Sequence, residues 1–101
     1  MEFLVRFELD VPDGIARSEV EDRQKAEAVA AEALAEEGYL IRLWRASGGT
    51  DRPTVVGLYC AGSQPELEGL LAALPLYEWM DTFITPLEQH QNDPVRIQAT
   101  T

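Results

Sequence analysis

The chain has 101 residues, 46% of them hydrophobic, and its eighteen acidic against eight basic side chains give a formal charge of −10. That length suits one domain, residues 1–101, with a thin core; the hydrophobic share excludes a disordered chain, and no apolar run approaches the ~20 residues of a membrane span. The charge repels phosphate backbones and anionic membrane surfaces, so neither nucleic acid nor a membrane is an expected partner.

From Phe3 to Val11 the pattern alternates, with Phe3, Val5, Phe7, Leu9 and Val11 on one face, which predicts a half-buried strand stopped by Pro12, Asp13 and Gly14. Ser18 followed by Glu21 reads as a capping box opening a first helix from about Ser18 to Glu37, which Gly38 ends. Tyr39 to Ala46 is a second strand. The turn-rich run Ser47-Gly48-Gly49-Thr50-Asp51-Arg52-Pro53 then joins it to a third strand from about Thr54 to Ala61, as an antiparallel hairpin. Ser63 with Glu66 makes another capping box, and Leu67, Leu70, Leu71 and Leu74 repeat at helical spacing before Pro75. Met80 to Leu87 is a fourth strand, and from about Glu88 the chain is polar enough for a surface tail.

The order β-α-β-β-α-β predicts an α+β domain of ferredoxin-like topology, a four-stranded antiparallel sheet with two helices on one face. On the second strand Leu40, Trp44 and Ala46 are expected to point one way and Tyr39, Ile41 and Leu43 the other. Both faces would then carry apolar groups, and a second copy of the chain is the natural cover for the open one, making a homo-oligomer.

A helical wheel of the first helix puts Val20, Ala30, Ala31 and Leu34 around Glu27, with Glu21, Lys25, Glu32 and Glu36 opposite. A carboxylate in the buried arc is desolvated, which raises its pKa toward the range useful for moving protons at neutral pH. The alternative is a structural ion pair with Arg23 or with an arginine of the hairpin. Arg42, Arg45 and Arg52 fall in one short stretch and could capture a small anion or simply pair with surface carboxylates. Arg42 and Arg45, three apart on a strand, leave opposite faces, so one alone can face the helices. Trp44, Tyr77 and Trp79 either wall an apolar pocket or fill the core and subunit contacts.

Cys60 is the single cysteine and His90 the single histidine, so no intrachain disulfide or structural zinc site is available and no metal is expected. His90 reads as a solvated tail residue and Cys60 as an inert thiol. A cytoplasmic location follows from the lone cysteine and from acidic Glu2 standing where a secretory signal carries positive charge.

The stretch Glu36-Glu37-Gly38-Tyr39-Leu40-Ile41-Arg42-Leu43-Trp44-Arg45 resembles the Glu-Gly … Leu-Trp-Arg segment of muconolactone isomerases, and Leu74-Pro75-Leu76-Tyr77-Glu78-Trp79-Met80-Asp81 resembles their Leu-Pro-Leu-Phe-Pro-Tyr-Met-Asp run. With the opening strand and Thr85-Pro86-Leu87 to His90, the likeness spans nearly the whole chain. It implies a ferredoxin-like fold assembled into dimers or larger rings, and a cofactor-free double-bond shift in a small unsaturated lactone carboxylate of aromatic catabolism, on the 3-oxoadipate pathway. Counted back from Gly38 without a gap, Glu27 falls on the helix glutamate that serves the family as base. Arg45 matches the Leu-Trp-Arg arginine, and Arg42 stands where the isomerase often has histidine. After Gly48 the sequences part, the family running His-Tyr-x-Asn where this chain has a longer turn without those side chains. Glu78 and Gln91 also stand where the family has proline. The resemblance thus implies Glu27 as catalytic base, with Arg42, Arg45, Trp44, Tyr77 and Trp79 as substrate-binding candidates. Chloromuconolactone dehalogenases are close relatives of the family. The rival readings are a non-catalytic ferredoxin-like oligomer that binds small molecules, and a cofactor-free monooxygenase of the dimeric α/β-barrel type.

Overall fold

The computed structural model describes residues 1–47 and 51–95, so the centre of the hairpin turn and the end of the polar tail lie outside the described residues. The elements follow the order β1 (Glu2–Leu9), α1 (Arg17–Glu36), β2 (Leu40–Ala46), β3 (Thr54–Cys60), α2 (Gln64–Ala72), a short 3-10 helix (Tyr77–Trp79) and β4 (Met80–Leu87). The strands lie in the order β2-β3-β1-β4 with every neighbouring pair antiparallel, the ferredoxin-like arrangement.

Alternation on β1 decides which face is covered. Phe3, Val5 and Phe7 are buried, and they sit opposite Tyr59, Gly57 and Val55 of β3 and Pro86, Ile84 and Thr82 of β4. Against this face pack Leu34 of α1 and Leu67 and Leu71 of α2, the last two almost wholly enclosed. Burying each such leucine stabilises the fold by about 1.5–3 kcal/mol. Among the described residues no helix is long and apolar enough to cross a membrane.

The helix starts divide the two expected caps. At α2 the Ser63 hydroxyl accepts the Glu66 N–H at 3.3 Å, and the Glu66 carboxylate reaches back to the Gly62 N–H. At α1 the expected Ser18 cap is corrected: the cap position is Ala16, whose carbonyl takes the Glu19 and Val20 N–H groups, so Ser18 already lies in the first turn. At the other end of α1, Gly38 turns the chain at φ +87°, a backbone geometry that L side chains resist, and the Tyr39 N–H returns to the Leu34 carbonyl.

The expected faces of β2 are also corrected. Leu40 pairs with Tyr59 but Arg42 already pairs with Leu58, so Ile41 is the extra residue of a β-bulge. The alternation resets there. Leu43 and Arg45, opposite Gly57 and Val55, share the helix-covered face with Leu40, whereas Arg42 and Trp44, opposite Leu58 and Val56, belong to the open face. The reading that both faces of β2 are part apolar holds, with Ile41, Leu43 and Trp44 all exposed.

Candidate active site

Glu27 lies two turns, about 10 Å, before Leu34 along α1. There α1 meets the loop that follows α2. The Leu76 N–H donates to Glu27 Oε1 at 3.0 Å, and Oε2 makes no hydrogen bond among the described residues. Burial pushes the carboxyl above its ordinary value of 4.5, and the Leu76 bond pulls it part of the way back.

The ion pairs considered for Glu27 are made elsewhere. Arg23, one turn earlier on α1, pairs with Glu78, donates to the Pro75 carbonyl at 3.2 Å and lies 4.2 Å over the Trp79 ring. Arg52 bridges Glu8, Asp10 and Asp81, tying the end of the hairpin to β1 and β4. No salt bridge to Glu27 occurs among the described residues, so a half-buried carboxylate faces the sheet without a cationic partner.

Tyr59 of β3 is the titratable group that feels the Glu27 charge. This residue is 3% exposed and packs edge-on to Phe7, with ring centroids 6.2 Å apart. Its ring lies over Gly57, where an added Cβ would come within 2.6 Å of Tyr59 Cε1 and 3.2 Å of Leu43 Cδ1, so the glycine makes the space the ring uses. Burial, with the Glu27 charge adding to it, pushes the Tyr59 hydroxyl up to about 12. Sequence reasoning missed Tyr59, because a tyrosine in an apolar strand reads as core; the one available signal was the glycine two residues earlier on the same face.

The remaining candidates are dispersed. Arg45 is on the helix-covered face beyond Leu43 and makes no ion pair or hydrogen bond among the described residues. Arg42 lies 5.0 Å over the Trp44 ring, and both belong to the open face. Trp79 is buried under Arg23. Tyr77 lines a cavity of about 450 Å³ between α2 and β4, with Glu68, Leu71, Thr82 and Ile84. Tyr59, Leu43 and Arg45 thus share the helix-covered face of the sheet, and Trp44 is not on it.

The family model for muconolactone delta-isomerase matches residues 1–93. A muconolactone delta-isomerase of Cupriavidus pinatubonensis is 31% identical over 90 residues, which cover 89% of this chain and 95% of that one. Muconolactone delta-isomerase 1 of Acinetobacter lwoffii is 29% identical, covering 89% and 91%. In three dimensions the chain superposes on a crystal structure of muconolactone isomerase with a TM-score of 0.80 at 24% identity, covering 93% and 95% of the two chains. It superposes on a 5-chloro-2-hydroxyhydroquinone dehydrochlorinase from Burkholderia phenoliruptrix with a TM-score of 0.65 at 18% identity, covering 92% and 99%. These two likenesses establish the ferredoxin-like fold. A family match running from residue 1 to residue 93, together with a relative above 30% identity, makes this chain a member of the muconolactone delta-isomerase family.

Proposed function

We propose that the protein is an isomerase that moves a proton, and with it a carbon–carbon double bond, in a small unsaturated lactone bearing a carboxylate, muconolactone being the first candidate and aromatic catabolism the setting. Glu27 is the base. Its carboxylate takes the proton from the ring carbon that carries the side chain, the electron pair spreads through the ring to the carbonyl oxygen as a furanolate-like dienolate, and the same carboxyl returns the proton at the carbon α to the carbonyl. The route needs no electron-accepting group beyond the lactone itself. The observation that carries this reading is a carboxylate held in place by one backbone N–H, desolvated, without a cationic partner among the described residues and with one oxygen free.

Arg45 stands on the helix-covered face and would hold the substrate carboxylate, whereas Arg42, on the open face, would act there only across a subunit boundary. The whole chain acts as one domain in the cytosol, with a second copy covering the open sheet face. A second reading, a non-catalytic small-molecule-binding oligomer, draws support from the same Leu76 bond: Glu27 and Arg23, one turn apart on α1, both fasten the loop after α2 and could do so without chemistry.

Proton NMR of muconolactone incubated with the protein in deuterium oxide separates the two. The isomerase reading expects the ring proton at the side-chain carbon to disappear, the double bond to shift and the signal at the α-carbon to appear. Binding without conversion favours the second reading.

A further inference from the structure

Arg23 and Glu27 lie one turn apart on the half-buried side of α1, and they hold the two ends of a single peptide unit. The Arg23 guanidinium donates to the Pro75 carbonyl at 3.2 Å. The N–H of that same peptide bond, which belongs to Leu76, donates to Glu27 Oε1 at 3.0 Å. Across a trans peptide the C=O and N–H point in opposite directions. The peptide dipole therefore stands between a cation at its carbonyl end and a carboxylate at its amide end, and each contact polarises the unit in the sense that strengthens the other. The guanidinium is itself fixed, by Glu78 of the 3-10 helix and by the Trp79 ring 4.2 Å away. The Trp79 N–H donates to the Leu76 carbonyl at 2.9 Å, and both of these side chains are buried, which anchors the loop from its other side.

A surface ion pair accounts for Arg23 with Glu78, but not for the further bond to one backbone carbonyl. On the isomerase reading, we propose that Arg23 is a positioning residue for the base: by holding the Pro75 carbonyl it aims the Leu76 N–H at Glu27 Oε1 and so fixes where the carboxylate stands. No salt bridge joins Arg23 to Glu27 among the described residues, so the influence runs through the peptide. The charged and titratable groups around the carboxyl are Arg23 on α1, Glu78 on the 3-10 helix and Tyr59 on β3. An N–H aimed at a carboxylate favours the anion, so losing that aim moves the Glu27 titration upward.

Arg23→Met keeps most of the side chain's length and removes its charge and its donors. The Glu27 midpoint, followed by carboxyl-carbon NMR and assigned by its absence from Glu27→Gln, should then lie about 0.5–1 pH higher. Exchange of the Leu76 amide proton with solvent should quicken about tenfold. Turnover of muconolactone should fall about 10–10²-fold in kcat, with KM changed by less than about threefold. Arg23→Lys keeps a charged donor and should restore part of each. Arg23→Gln, which drops the charge alone, should also raise the midpoint and serves if Arg23→Met does not fold. A lower melting temperature with the midpoint and the Leu76 exchange of wild type would make Arg23 a fastening only, overturning the positioning role while the Glu27 base survives. A midpoint that rises with Leu76 exchange unchanged would overturn the peptide route, since the charge would then act through space. If midpoint and exchange move together and Arg23→Lys restores them, but wild type converts no lactone, the hold on Glu27 stands and the isomerase reading falls.

Discussion

The proposed base is a carboxyl on α1, Glu27, and what tunes it is burial opposed by one backbone N–H. Because Glu27 is held above its ordinary 4.5, the folded chain binds this proton more readily than the unfolded chain. Its contribution to stability is therefore complete below 4.5 and is lost as pH rises through the folded-state value. Glutamine keeps the acceptor for the Leu76 N–H and removes the charge. The melting temperature of Glu27→Gln relative to wild type should accordingly climb between about pH 4 and pH 7. A difference that moves in wild type's favour over that range would mean that Glu27 is stabilised as an anion, by a cation or by donors.

At the scale of elements, β2 decides which of its side chains face the helix layer. The bulge at Ile41 turns Leu43 and Arg45 toward the helix layer and gives Trp44 to the open face. Arg45→Ala should raise KM for a carboxylate-bearing lactone by the equivalent of roughly 1.5–3 kcal/mol, with Arg45→Lys rescuing it partly because an ammonium lacks the planar fork. An unchanged KM in Arg45→Ala removes the anion clamp. The elements themselves were largely legible in the sequence: β4 has the expected bounds, β2 and β3 are each one residue shorter at one end, α1 is shifted by one residue toward the N-terminus, and β1 stops two residues before Val11. What was not legible depends on partners. A bulge is a mismatch between two strands and leaves no mark on one of them. The Ser18 cap failed because Ala16, two residues earlier, offered its carbonyl to the first free N–H groups, and local propensity cannot rank such neighbouring starts. Glu27 stood out because the helical wheel isolates a charge on an apolar arc. Tyr59 did not, because nothing in Val-Val-Gly-Leu-Tyr-Cys sets this ring apart from the rest of the core.

For the molecule as a whole, the ferredoxin-like layering leaves one sheet face bare, with Leu4, Trp44 and Phe83 exposed on it and Arg6 lying 4.4 Å over the Phe83 ring. Such a face suits a second copy of the chain. On the covered face, the loop after α2 holds Glu27 of α1 by the Leu76 N–H, and no salt bridge reaches it among the described residues. The fold and the proposed reaction make separable demands on this residue, the fold using its acceptor oxygen and the proposed proton transfer its basicity. The most direct test reads both on one sample of Glu27→Gln. Thermal melting reports the fold, and deuterium incorporation into muconolactone reports proton transfer. The account predicts a melting temperature at neutral pH equal to or above that of wild type, with incorporation down by roughly 10²–10⁴-fold. A marked loss of melting temperature, with incorporation retained by the protein that remains folded, would contradict it and leave Glu27 as a fastening between α1 and the loop.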